Sequence, residues 1–254
     1  PGRQKRDRKE RCFMYGMYGY GYGYGLDPTI ILVLIGVALS LWAQGRVNST
    51  FSRYSRVRSM TGMTGAEAAR RLLNAQGIYD VTVQQIAGEL TDHYDPRTKT
   101  VNLSQSVYGA TSVAAIGVAA HECGHAMQDN EGYAPLRFRS ALVPVANFGS
   151  SLSWPLILLG LVFGGLGSPL VEIGILMFSL AVLFQLVTLP VEYNASARAV
   201  RLLDAQGILA GEEVNGTRKV LNAAALTYVA AAATSILQLL RLIILFGGRN
   251  RRDR

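Results

Sequence analysis

Charge is scarce in this 254-residue chain. Asp, Glu, Lys and Arg make up 17% of it, against roughly a quarter in an ordinary soluble domain. Cysteine is almost absent. Cys12 and Cys123 cannot build a disulfide framework, so both read as free thiols, which favours a reducing compartment. Histidine occurs three times, as His93, His121 and His125, so an imidazole metal site has few residues to draw on. Half of the residues are apolar, which excludes disorder as the main state. The formal charge of +8 sits mostly in the tails, with +4 in residues 1–11 and +3 in residues 249–254. The 237 residues between them carry only +1. A basic face for nucleic acid is thereby excluded, and no nucleic-acid partner is expected.

Where charge is missing altogether, the chain reads as membrane-spanning. No charge separates Asp27 from Arg46, Ser140 from Val171, Ile173 from Val191 or Val220 from Leu240. A spanning helix needs about 17–25 predominantly apolar residues. Residues 28–45 form a first span, anchored by Trp42. Residues 140–191 form a transmembrane hairpin, Pro144–Leu166 and Pro169–Pro190, turning at Gly164, Gly165 and Gly167. The first apolar run is too long for a signal peptide, and no small-residue cleavage site follows it. Residues 220–248 are ambiguous. Ala223–Ala233 is only weakly apolar, and Gln238 and Arg241 interrupt the stronger stretch after it. This segment either spans or packs on the protein and touches the bilayer with its second half.

Arg46, Arg53, Arg56, Arg58, Arg137, Arg139, Arg198 and Arg201 flank the spans on one side. The positive-inside rule therefore places residues 46–139 and 192–219 on the cytoplasmic side of a membrane that the chain crosses several times. The basic tail 249–254 conflicts with this count and weakens the case that the last segment crosses. Residues 1–27 form a Gly/Tyr-rich tail without packing periodicity and read as disordered. Met14 or Met17 is placed to be the natural start, with 1–13 as an upstream extension.

The polar segments assemble into one split domain. Ala66–Ala75 reads as an amphipathic helix, with Thr64 as N-cap, Glu67 completing a capping box and Gly77 as its stop. Residues 71–78 recur almost unchanged as 201–208, which reads as two helices sharing one stop signal. Val81–Ile86 reads as a strand, and Thr91–Leu103 as strand, turn and strand about Asp95-Pro96-Arg97-Thr98. Ser106–Asn130 is helical. The expected fold is mainly α with a small β-sheet.

The informative motif lies in that last helix, His121-Glu122-Cys123-Gly124-His125. Residues four apart share a helix face, so both imidazoles reach one metal ion, with Glu122 beside them to take a proton from water. Nitrogen and carboxylate donors suit Zn²⁺, which keeps a fourth position open in catalytic sites. Gln128 and Glu131 occupy the positions where the long metzincin motif needs Gly and His, so the third ligand lies elsewhere. Glu192, where the hairpin returns to the side it left, is expected to supply it, with Pro190 starting the helix that carries it. Cys123 points away from the metal face.

Further segments complete a family pattern: Ser40–Gln44, Gly62–Glu67, Leu90–Pro96, Phe184–Glu192 and Leu226–Ala230. Over residues 26–247 the chain resembles the membrane-anchored neutral zinc metallopeptidases of bacteria and archaea, the YugP-like proteins. The resemblance implies a zincin-like catalytic domain of the gluzincin type, split by the hairpin, acting on a peptide or membrane-protein substrate at the lipid bilayer. Glu122 is then the general base, and His93, Tyr94 and Tyr228 are the candidate donors to the oxyanion. The relatives place an acid four residues after the Glu ligand, where this chain has Ser196. That leaves Asn194 or Ser196 to orient a ligand histidine. The strand around Val101–Leu103 is expected to receive an extended peptide. Two other classes compete. One is a non-proteolytic scaffold with a structural metal site. The other is a site-2-type intramembrane protease, which the polar residues between Asn102 and Ser112 oppose.

Overall fold

Four helices in the computed structural model are long and apolar enough to cross a membrane. The structure describes residues 27–165 and 168–247. The Gly/Tyr-rich tail with Cys12, the middle of the hairpin turn and the basic tail 249–254 lie outside the described residues.

Helix α1 (Ile30–Tyr54) is followed by α2 (Gly65–Ala75), β1 (Thr82–Ile86), β2 (His93–Asp95) and β3 (Thr100–Ser104). Then come α3 (Gln105–Tyr108), α4 (Val113–Asn130), α5 (Ala134–Gly164), α6 (Pro169–Ala205) and α7 (Glu212–Phe246). The fold is mainly helical with one three-stranded sheet, as the sequence predicts.

The polar part follows local chemistry closely. Thr64 accepts from the Glu67 amide, and the Glu67 carboxylate accepts from the Thr64 amide, closing the capping box. Gly77 and Gly207 both take left-handed φ. In each case the following Ile donates its amide to the carbonyl five residues back, Leu73 or Leu203. This is the Schellman stop, and it accounts for the repeated octapeptide as two identical helix endings.

The sheet corrects one expectation. Its strand order is β1-β3-β2, with β3 parallel to β1 and antiparallel to β2. β3 is central and buried at all five residues, so it has no free edge to receive a peptide. The apolar-polar alternation of Val101-Asn102-Leu103 suggests a half-exposed strand. Asn102 is instead satisfied inside, between Gln84 and His93. The two edges belong to β1 and β2, and β2 is the one that lines the cavity described below.

Helix α4 runs through the core beneath the sheet, flanked by α2, α6 and the first half of α7. Two of the long helices also differ from expectation. Pro190 starts no helix, because α6 continues through it for 37 residues. Proline removes one backbone bond, and packing against α5 and α7 on either side of the break keeps the helix whole. Helix α5 already begins at Ala134 and holds Pro144 and Pro155 inside it. The hairpin helices meet through small residues. A Cβ on Gly149 would stand 2.7 Å from the Met177 carbonyl, and one on Gly174 would stand 2.9 Å from the Ser153 carbonyl, the close backbone approach that membrane helix pairs use.

The ambiguous last segment is one continuous helix, α7, and among the described residues it is a fourth candidate span. It pairs with α1. Thr234 donates to the Gly36 carbonyl, and Arg241 lies 3.6 Å from Asp27. The Arg that weakens the sequence case for a span is thus matched by the acid at the start of α1.

Candidate metal centre

Helix α4 presents His121 and His125 one turn apart, with ring centroids 4.7 Å apart. Glu192 reaches them from α6, 67 residues further along the chain than His125. Its Oε2 lies 3.2 Å from His121 Nε2 and 3.5 Å from His125 Nε2. Gly124 permits the approach: a Cβ there would stand 2.6 Å from the Ala195 carbonyl, so any larger residue would push α4 away from α6.

Three ligands at zinc-ligand distance from one tetrahedral centre stand about 3.3 Å apart, close to the two separations observed. The donor atoms of all three residues fall within 4.8 Å of one another. Burial alone would raise the Glu192 carboxyl, but the two imidazoles beside it hold it far below the usual carboxylate range. For His125, burial opposes the charged ring, yet Glu192 and Glu122 together raise its pKa above the ordinary value. Glu192 therefore stays ionised between the two imidazoles, and together they offer the nitrogen and carboxylate donors that a divalent cation takes.

Hydrogen bonds behind the ligands decide which nitrogens face the pocket. Gln128, fully buried, donates its amide to the Val191 carbonyl at 2.9 Å and to Asn194 Oδ1 at 3.0 Å. Arg198 Nε donates to the same Asn194 oxygen at 2.7 Å, which fixes that oxygen as the acceptor. Gln128 Oε1 therefore faces His125 Nδ1, at 3.0 Å. An acceptor there requires a proton on Nδ1 and leaves Nε2 as the nitrogen that faces Glu192. His121 Nδ1 meets Ser196 Oγ at 3.1 Å. Both outer-nitrogen partners are thus present. Ser196 acts directly, and Asn194 acts through Gln128, a residue whose only mark in the sequence is its failure to fit the metzincin pattern. Gln128→Ala is expected to weaken zinc binding about 10–100-fold, measured by competition with a chromophoric chelator; an unchanged affinity would show that the relay does not orient His125.

A cavity of about 170 Å³ opens over the cluster. Asp92, His93, Tyr94 and Pro96 line it from the β2 side, and Leu136, Arg139 and Ser140 from α5. Glu122 lines it from α4 and Tyr228 from α7. Glu122 is only 7% exposed and is not among the three converging groups. The three oxyanion candidates differ in what they have free. His93 Nδ1 donates to the Thr91 carbonyl, so its Nε2 accepts from Asn102, and both nitrogens are used. The Tyr94 hydroxyl donates to Asp129, and with burial this pushes the phenol pKa up. Tyr228 lines the cavity together with Glu192, at the centre of the site. Cys123 is buried, lies against the Ala69 carbonyl, and has its thiol pKa raised by burial; it faces away from the cluster.

Two residues in this cavity escape sequence reasoning. Arg139 Nη2 stands 3.7 Å from Glu192 Oε1, and its buried Nε has no hydrogen-bond partner. Asp92 accepts from the Ser104 amide and hydroxyl, and burial still raises its pKa. In the sequence Arg139 carries only a topology signal, and the single cue for Asp92 is its place beside His93.

Fold and site together define a membrane protein with a two-histidine, one-carboxylate centre at the mouth of its long helices. The family described as "Putative neutral zinc metallopeptidase" matches residues 29–247, and the chain belongs to that family. It is also 49% identical over 217 residues to "Putative membrane protease YugP" of Bacillus subtilis (strain 168), covering 85% of this chain and 96% of that protein. No solved structure matches it.

Proposed function

We propose that the protein is a membrane-bound, zinc-dependent endopeptidase, with His121, His125 and Glu192 as the zinc ligands. The observation that carries this reading is the cluster of three ligands, not four, among the described residues, with the carboxylate of Glu122 in the same cavity. A structural site would be closed by a fourth protein ligand, which disfavours the scaffold reading. The intramembrane reading is disfavoured because α4 is a core helix of the polar domain and not one of the four candidate spans.

Zinc, when bound there, supplies a Lewis acid that activates water and polarises a substrate carbonyl. Glu122 takes the proton of the attacking water and passes it to the leaving amine. Gln128 and Ser196 hold the two imidazoles in the tautomer that presents Nε2. Tyr228, which lines the cavity with Glu192, faces the position of the substrate carbonyl and donates as charge develops on its oxygen, while Arg139 stands against Glu192 Oε1 and steadies that carboxylate. His93, braced by Asn102 and Thr91, forms the cavity wall beside the free edge of β2. An extended peptide adds to that edge by main-chain hydrogen bonds.

The test is direct. Purified protein carrying one zinc per chain is incubated with an unfolded protein and a random peptide library. New N-termini that vanish with chelator are expected; no cleavage at full zinc occupancy would overturn the peptidase reading.

The four long helices cross the plasma membrane of a prokaryotic cell, with the metal centre on the cytoplasmic side. In intact cells carrying a Cys12→Ser background, an impermeant thiol reagent is then expected to label Gly165→Cys, exposed in the hairpin turn, and to miss Met60→Cys, which is 88% exposed in the polar domain. The reverse pattern would invert the topology.

A further inference from the structure

The cavity walls include three helices that continue into the bilayer, and their apolar lengths set its depth. About 20 helical residues, roughly 30 Å, cross the hydrocarbon core. Counted from Pro169 at the start of α6, that length ends near Leu189, and Glu192 follows within a turn. Counted back from Gly164 at the end of α5, it ends near Pro144, with Arg139 little more than a turn outside. Counted back from Phe246 at the end of α7, it ends near Leu226, and Tyr228 lies just within. Helix α1 gives an independent check. Gly36 packs on Thr234 of the antiparallel α7, so Gly45, where the uncharged stretch ends, lies level with Ala225.

These counts agree. The metal centre stands within about one helical turn, roughly 5 Å, of the hydrocarbon surface. Each leaflet's headgroup layer is about 5–8 Å thick, so the cavity opens inside it. Its two rims also differ in character. One is the polar edge strand β2. The other is α5, which lines the cavity with Leu136, Arg139 and Ser140 and continues from there into the bilayer as an apolar helix. A chain rising from the bilayer along α5 would meet Arg139, pass over the His pair and reach β2 within a few residues. A freely soluble peptide would have to enter the headgroup layer first.

We propose that the substrate is a membrane-anchored polypeptide, cut in an extended segment within about ten residues of the hydrocarbon surface. Extended chain advances about 3.3 Å per residue, so ten residues cover the headgroup layer and several positions on either side of the cut. The proposal rests on the endopeptidase reading and deepens it.

Two measurements test it, both on the full zinc-loaded chain in liposomes. In the first, nitroxide labels at the exposed positions Ala141→Cys and Met60→Cys are compared for collision with lipid-dissolved oxygen and with a water-soluble nickel chelate. Position 141, about 4.5 Å outside Pro144, is expected at headgroup depth and position 60 in water; a fully aqueous position 141 would overturn the placement. In the second, single-span substrates carry a flexible 40-residue segment outside the membrane, and cuts are mapped by mass spectrometry. Cuts confined to the membrane-proximal ten residues are expected, with at least tenfold slower cleavage of the same segment released from its anchor. Cuts spread along the segment, or equal rates for the free segment, would overturn the substrate class. Absence of cleavage in every substrate would instead overturn the peptidase reading, and the label at position 141 would still decide the depth of the site.

Discussion

Glu192→Ala is expected to empty the centre of zinc and abolish peptidase activity together, although the residue is separated from the histidine pair by two long apolar helices. The effect is large because Glu192 sits where the whole arrangement converges. It is 2% exposed, its Oε2 lies between both Nε2 atoms, and its Oε1 faces Arg139. Removing the carboxylate leaves Arg139 without its anion and leaves two imidazoles as the only ligands. Loss of an orienting partner alone costs about 10–100-fold in metal affinity, so loss of a ligand should exceed 100-fold. Zinc per chain after dialysis against a weak chelator should fall from about one to near zero. The fold should survive, because the core around α4 is built from Leu72, Ile116, Leu203 and their neighbours and does not depend on this carboxylate. Circular dichroism checks that point, and Glu192→Gln, which keeps the volume, serves as a second variant. Full zinc retention in a folded Glu192→Ala protein would remove Glu192 from the ligand set.

How much of this is legible in the sequence depends on the range of the interaction. Features set within one helix or one turn are readable: the capping box at Thr64, the two Gly stops, the Asp95–Thr98 turn and the His pair. The long apolar helices are readable too, because a run of 18 or more residues without charge matches the length that a bilayer demands and exceeds what a buried soluble helix needs. Their ends are not. Pro144 and Pro190 look like boundaries, since proline usually interrupts a helix, but neighbouring helices carry α5 and α6 straight through them. Glu192 is legible because an acid at the end of a charge-free stretch stands out. Asn194 stands out as a candidate to orient a ligand histidine, but Gln128 and Arg198 do not, because their part exists only when α4 and α6 lie side by side and one donor-acceptor chain crosses between them. Arg241 misleads for the same reason. Its partner Asp27 lies more than two hundred residues away.

Glu122→Gln should separate chemistry from metal binding. Glu122 shares the cavity with His121, His125 and Glu192, yet it is absent from the converging ligand set. The amide is nearly isosteric with the carboxylate, so packing around a side chain only 7% exposed is preserved. Zinc content should stay at about one per chain, and thermal stability should change little. An amide accepts no proton, so the rate should fall about 10²–10⁴-fold, the usual contribution of a positioned base. The alternative base in this cavity is Asp92, whose burial raises its pKa and so makes it a better proton acceptor than an exposed carboxylate. Its oxygens already accept from the Ser104 amide and hydroxyl, which ties it to the sheet. Asp92→Asn is therefore expected to lower the rate less than Glu122→Gln at equal zinc occupancy. The opposite ranking would transfer the proton-accepting role to the β2 side of the cavity and leave Glu122 as a purely electrostatic neighbour of the ligands.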